Sequence, residues 1–281
     1  MLKGGTTKST VTANVAEALA RAGNDVLAVD TDPNGHLTVN LGYDEFYHDA
    51  LTDLGDVILH DGDAQPSDMI VDTGLGFDLV PSTYNLETVE TRIQSETQPS
   101  LCLKHGLVDP VLGDRYDYVV IDTHSSRNKL VNNAAVAAPN LLLPLVPEQG
   151  IYSGLTRTRE RVVKPLRDRL GLEVLALVPN KLQQRIDYQT DDRELIENIC
   201  TNDALAPRVP NFAWIEPDLF DAIDDPQQDI SPLPKPGIRK TADINDAFRE
   251  DKTLGAYNPE NDQLACFDEL AEIVMQGGVE R

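Results

Sequence analysis

The chain has 281 residues, 41% apolar, 5% aromatic and 25% charged, enough for one large α/β domain with its own core and unlike collagen-like or disordered sequences. Its 31 Asp and 16 Glu against 15 Arg and 9 Lys leave a net charge of −23 spread over the whole length, the balance of a halophile's surface, since in molar salt a Debye length of roughly 3 Å screens the self-repulsion. No apolar run approaches the roughly 18 to 20 residues of a membrane-spanning helix and no basic-then-apolar leader opens the chain, so a cytoplasmic location is expected; Cys102, Cys200 and Cys266 are too far apart for a zinc or disulfide framework and read as buried thiols.

In chain order, Lys3-Gly4-Gly5-Thr6-Thr7-Lys8-Ser9-Thr10 opens a helix predicted over Ser9–Ala22. Gly4 and Gly5 let backbone N–H groups approach an anion, Lys8 supplies a fixed cation for β- and γ-phosphates, and Ser9 offers a hydroxyl to Mg²⁺. Thr7 stands where the standard phosphate loop has glycine, and a Gly-Gly turn before a capped helix is the structural alternative. The strand predicted at Val26–Val29 runs into Asp30 and Asp32, and the one at Tyr118–Ile121 into Asp122. Carboxylates at the carboxyl ends of buried parallel strands face the ligand crevice of such sheets. Asp32-Pro33-Asn34-Gly35 is also a good turn, and Asp122 could simply cap the next segment.

Further strands are predicted at Phe77–Val80, Leu141–Val146 and Val174–Val178, with helices over Lys129–Ala138, Ser153–Leu170 and Asp192–Cys200. Alternation of this kind predicts right-handed crossovers and a doubly wound, mostly parallel sheet with helices on both faces. Arg157, Arg159, Arg161, Lys164, Arg167 and Arg169 form the one basic stretch in an acidic chain, either a DNA-contacting face or a solvated one. Arg185 is a further candidate DNA contact. From Pro217 to Asn261 the alternation fails, with prolines at 217, 226, 232, 234 and 236, and a peripheral insertion is expected on a single domain spanning 1–281. A last amphipathic helix is predicted over Leu264–Met275.

Taken together these motifs resemble the ParA/MinD family of deviant-Walker ATPases, and within it the ParA-type, Soj-like partition proteins. Lys3-Gly4-Gly5-x-x-Lys8-Ser9-Thr10 is similar to the family's K-G-G-x-G-K-T-T loop, and Val29-Asp30-Thr31-Asp32-Pro33-Asn34-Gly35 to its V-D-x-D-P-Q-G segment. Asp122-Thr123-His124-Ser125-Ser126, Asn132-Asn133-Ala134 and Leu143-Pro144-Leu145-Val146-Pro147-Glu148 resemble its D-x-P-P-S, N-A-L and I-P-x-x-x-E stretches. Weaker matches follow at Val178-Pro179-Asn180-Lys181, where the family contacts adenine, and at Val209-Pro210-Asn211.

The resemblance implies a P-loop fold, ATP and Mg²⁺ as cofactors, and an ATP-dependent homodimer that hydrolyses ATP slowly. Gly4, Gly5, Thr6, Thr7, Lys8, Ser9, Thr10, Asn180 and Pro210 would bind the nucleotide, Lys8 its phosphates, and Lys3 the phosphates of the partner protomer. Ser9 would ligate Mg²⁺, with Asp122 holding it through water and Asp30 supporting the metal site, while Asp32 positions the hydrolytic water. It further implies plasmid or chromosome partition through non-specific DNA and a centromere-binding ParB-like partner, with Arg157, Arg161, Lys164 and Arg185 as DNA contacts and a nucleoid-associated location. The alternatives are a MinD-like spatial regulator, which the acidic Asp268–Gly278 end argues against, and a degenerate ATP-binding module. His124-Ser125 replaces the family's Pro-Pro, so the switch segment is expected to move differently. The family also places a strand directly before the loop where only Met1 and Leu2 stand here, so an upstream start or a truncated first strand is expected.

Overall fold

The computed structural model describes residues 7–59, 63–126, 128–147, 167, 171–183, 186, 190–225, 227–228 and 230–280. The described elements in chain order are α1 (Thr7–Arg21), β1 (Val26–Asp30), α2 (His36–Asn40), α3 (Asp44–Asp49), α4 (Leu54–Ile58), β2 (Val71–Asp72), β3 (Asp78–Val80), α5 (Leu86–Ile93), β4 (Tyr118–Asp122), α6 (Lys129–Ala137), β5 (Asn140–Leu145), β6 (Glu173–Leu182), α7 (Asp191–Thr201), α8 (Pro217–Asp224), β7 (Ile238–Arg239), α9 (Ala242–Arg249), α10 (Leu254–Tyr257) and α11 (Leu264–Gln276). The chain divides into two compact units, residues 1–139 with 243–264, and residues 140–242 with 265–281.

In the first unit a four-stranded sheet runs β2-β3-β1-β4. β1 pairs in parallel with both β3 and β4, whereas β2 lies antiparallel on β3. All five residues of β1 are buried, as expected of a central strand in a parallel sheet, where both faces are covered. Helix α1 packs on β1 and β4, burying Val11, Ala13, Val15, Ala16 and Leu19, and it stops where Gly23 takes a left-handed φ of 93°. Leu27, Val29, Leu54, Ile58, Val80, Leu86, Ile93, Leu103, Leu107 and Leu130 make the core of this unit. The buried Asn14 of α1 accepts the Leu254 N–H at 2.8 Å and Glu17 accepts that of Gly255 at 3.2 Å, so α10 is seated on α1 by side-chain acceptors.

In the second unit β5-β6-β7 form a parallel three-stranded sheet. Its core is Leu145, Leu177, Leu182, Leu195, Ile196, Ile199, Val209, Ile215 and Phe220. The 217–261 stretch is built into both units: Pro217 begins helix α8, because a proline in the first turn loses no hydrogen bond, Phe220 joins the second core, β7 pairs with β6, and α10 is seated on α1. The three cysteines are buried and in no disulfide. Among the described residues no helix is long and apolar enough to cross a membrane. The predicted Ser153–Leu170 helix lies outside the described residues apart from Arg167.

Candidate functional site

The site is built where β1 and β4 end side by side. Their register sets Asp30 opposite Asp122, and the next residue, Thr31, fastens the two ends by donating from its N–H (3.0 Å) and its hydroxyl (2.6 Å) to the Asp122 carbonyl. The first turn of α1 closes the third side. Ser9 Oγ donates to Asp122 Oδ2 at 2.5 Å, a buried contact between residues 113 positions apart, and Thr123 N–H donates to the other oxygen at 3.0 Å.

The two acids after β1 have different tasks. Asp30 is fully buried and spends both oxygens inward: Oδ1 accepts the Asp32 N–H at 3.1 Å, and Oδ2 accepts the N–H and hydroxyl of Thr38 at 2.9 and 2.8 Å. It folds the loop that leads into α2. Asp32 is 6% exposed; its Oδ1 accepts the backbone and side-chain N–H groups of Asn34 at 2.9 and 2.8 Å, and its Oδ2 lies 4.0 Å from His36 Nδ1. Ser82 completes the support by donating its hydroxyl to the Asp32 carbonyl and its N–H to Thr38 Oγ1, both at 2.7 Å.

Electrostatics follow from this crowding. Burial, then the neighbouring Asp122 charge, pushes the Asp30 carboxyl up to about 8 despite its hydrogen bonds from Thr38 and Asp32. Burial likewise raises Asp122, to about 6, opposed by the Ser9 hydrogen bond and the Lys8 ammonium and reinforced by Asp32. Lys8 is thus close enough to Asp122 to act on it. Asp122 and the Ser9 hydroxyl, with Asp32 acting on Asp122, offer oxygen donors of the kind a hard divalent cation such as Mg²⁺ takes, whereas both Asp30 oxygens are already taken within the chain. Among the described residues no three His, Cys, Asp or Glu are arranged to cage a metal, and Mg²⁺ is ordinarily held through one or two protein oxygens, with phosphate and water completing its shell.

Of the expected site residues, the structure brings together Lys8, Ser9, Asp30, Asp32 and Asp122, with Thr7 and Thr10 buried in the same turn of α1. Lys3, Gly4, Gly5, Thr6, Arg157, Arg161, Lys164 and Arg185 lie outside the described residues. In the second unit, Asn180 is 3% exposed and its Nδ2 has no hydrogen-bond partner among the described residues, a buried donor of the kind that an acceptor on a base would satisfy. The backbone turns sharply there, with Lys181 at φ 61° and a register shift between Asn180 and Leu182. Pro210 is buried and precedes the turn Asn211–Ala213, whose first two N–H groups are taken by Glu269. Sequence reasoning missed Thr31, Thr38 and Ser82; Thr38 and Ser82 belong to no motif and act only through the acids they hold.

The family described as "AAA domain" matches residues 1–172. The chain is 36% identical to the chromosome partitioning protein ParA of Caulobacter vibrioides over 179 residues, which is 62% of this chain and 66%, slightly under two thirds, of that protein. Among solved structures, an ATP complex of a McdA variant from Cyanothece superposes with a TM-score of 0.72 at 19% identity, covering 100% of this chain and 95% of that one. The septum site-determining protein MinD of Pyrococcus horikoshii, complexed with Mg-ADP, gives 0.65 at 26% identity, covering 97% and 92%.

Proposed function

The chain belongs to the AAA domain family and within it to the ParA/MinD type of P-loop ATPase; from that premise we propose that it is an ATP-dependent dimerising switch that hydrolyses ATP to ADP and phosphate. The observation that carries this reading is the 2.5 Å bond from Ser9 to Asp122, which joins the first turn of α1 to the strand end beside Asp30 and Asp32. Lys8 and the N–H groups of the loop hold the phosphates, as a helix N-terminus and a fixed cation do elsewhere. Ser9 and Asp122 would hold Mg²⁺. When bound, Mg²⁺ supplies charge neutralisation at the phosphate oxygens. Asp32, held by Asn34 and Ser82, accepts a hydrogen bond from the attacking water and orients it, so that catalysis rests on positioning and charge. Asp30 acts by holding the loop.

Lys3 reaches the phosphates of the partner protomer, which makes the dimer depend on ATP. The output is partition of a plasmid or chromosome, through non-specific DNA bound by the basic 157–169 and Arg185 region and through a ParB-like partner that stimulates a slow turnover. The acidic composition favours operation in molar salt. Thr7, in place of a loop glycine, favours one second reading, a module that switches on occupancy with little hydrolysis.

Equilibrium binding of a labelled ATP analogue tests the assignment. Lys8→Ala is expected to abolish binding, and Asp32→Ala to leave binding intact while turnover is lost. Equal loss of binding in both variants contradicts the roles of Lys8 and Asp32, and wild-type binding without turnover selects the second reading.

A further inference from the structure

The residues from Asp32 to His36 make one closed turn. The Gly35 N–H donates to the Asp32 carbonyl at 2.8 Å, with Gly35 at φ 62°, in the left-handed region that glycine adopts freely. From there the chain enters α2, which packs against α1, and the imidazole of His36 comes back beside the Asp32 carboxylate. Contacts from outside hold the turn in place. Ser82 Oγ donates to the Asp32 carbonyl at 2.7 Å and Tyr47 Oη to the Pro33 carbonyl at 2.8 Å, and the Tyr47 ring lies against Gly35, where an added Cβ would come within 2.5 Å of it.

The two oxygens of Asp32 are not equivalent. Oδ1 accepts both the backbone and the side-chain N–H groups of Asn34, at 2.9 and 2.8 Å. Oδ2 has no hydrogen-bond donor among the described residues, and its neighbour is His36 Nδ1 at 4.0 Å. That is too far for a direct hydrogen bond and right for one water between them: a water oxygen about 2.8 Å from each atom subtends roughly 90° between them, close to the angle of its own O–H bonds. With its proton on Nε2, an imidazole presents Nδ1 as an acceptor. The Asp32 side chain is 8% exposed and that of His36 46%, so water reaches the gap from the histidine side.

The pair opens on the nook where the phosphates are proposed to bind. Asp32 lies near enough to Asp122 to act on its charge, and Asp122 accepts from Ser9 in the first turn of α1. We propose that His36 is a second catalytic holder of the attacking water, one water hydrogen pointing at Asp32 Oδ2 and the other at His36 Nδ1. A single acceptor leaves a water free to swing about one bond, whereas two fix its plane and leave a lone pair of its oxygen free for phosphorus, which is how positioning contributes to phosphoryl transfer. The water oxygen bonds to the γ-phosphorus as the bond to the ADP oxygen breaks and its electron pair leaves on ADP; one water proton remains on the released phosphate and the other goes to solvent. The role of His36 rests on that of Asp32 in the proposed function.

The test is single-turnover hydrolysis of Mg²⁺-ATP by the full-length protein, with binding of a non-hydrolysable ATP analogue measured on the same samples. His36→Leu, close in size but without an acceptor, is expected to slow hydrolysis about tenfold or more while analogue affinity stays within about twofold of wild type. His36→Asn, which returns an acceptor oxygen, is expected to recover most of the rate. Because one water is shared, Asp32→Ala/His36→Leu is expected to be no slower than Asp32→Ala alone. A wild-type rate in His36→Leu overturns the role of His36 and leaves the ATPase reading standing. A loss of analogue binding as large as the loss of rate does the same, because His36 would then hold the nucleotide or the fold instead of the water. Slowing in His36→Asn as deep as in His36→Leu, or losses that multiply in the double variant, also overturn it. Wild-type protein that binds ATP without hydrolysing it, or Asp32→Ala at the wild-type rate, overturns the proposed hydrolysis and the role of His36 together.

Discussion

Asp30 shows how a single residue is committed by its surroundings. Each of its oxygens is claimed by the chain, by Asp32 on one side and Thr38 on the other, while burial and Asp122 oppose its charge. An acid whose folded-state pKa is raised favours the folded state fully below its unfolded value, near 3.8, and loses that contribution as pH rises through about 8. In Mg²⁺-free protein, urea unfolding is therefore expected to give a stability that falls between pH 5 and 8, and Asp30→Asn is expected to flatten that slope; an unchanged slope contradicts the account. Gly35 is a second constrained position. Its φ of 62° disfavours any side chain, and a Cβ would strike the Tyr47 ring at 2.5 Å. Gly35→Ala is expected to cost about 1–3 kcal/mol, part of it steric, so that Gly35→Ala/Tyr47→Ala costs less than the sum of the two single changes in a double-mutant cycle.

Between α7 and α8 one buried guanidinium carries the contact. Arg193 is 1% exposed in its side chain and binds Asp224 with both Nη atoms at 2.8 and 2.7 Å, with a further bond from Nη2 to the Phe220 carbonyl at 3.2 Å. Asp224 is 55% exposed, so the two partners are not equivalent. Removing the acid leaves a buried cation with only Glu197, 3.6 Å from its Nε, and the Phe220 carbonyl, whereas removing the arginine leaves a carboxylate that water can solvate. Asp224→Ala is thus expected to destabilise the second unit more than Arg193→Met, by about 1 kcal/mol or more, measured by chemical denaturation; the reverse order contradicts the argument. The helices and strands themselves were legible to very different degrees. Continuous Val/Leu/Ile runs placed β1, β3, β4 and β5 within a few residues, because buried parallel strands are apolar on both faces. β6 runs on to Leu182, past the predicted Val178, since the chain continues pairing through a distortion at Lys181 that no hydropathy pattern encodes. Helices α3, α4 and α5 were not foreseen: α3 has no buried face to leave a period, and α4 and α5 are only 5 and 8 residues long. In the site, the acids were legible from their place at strand ends, but Thr38 and Ser82 were not, being joined to Asp30 and Asp32 only by the fold.

At the scale of the whole molecule, 47 acidic against 24 basic residues set the conditions under which the chain is stable. Raising salt from about 0.1 to 1 M shortens the Debye length from roughly 10 to 3 Å, and the unfolding midpoint is expected to rise with KCl over that range. A midpoint insensitive to salt would remove the argument from composition. The same charge makes ordinary counterion-driven DNA binding costly, so affinity for random-sequence DNA is expected to need the ATP state and to vary less with salt than is usual.

Sedimentation velocity of the wild type and Asp32→Ala with Mg²⁺-ATP tests the central claim most directly, because it reads nucleotide occupancy, assembly and hydrolysis together. The account predicts a dimer in both with ATP and in neither with ADP, decaying with time in the wild type and persisting in Asp32→Ala. A dimer that forms equally with ADP, or one that decays at the same rate in Asp32→Ala, would contradict it.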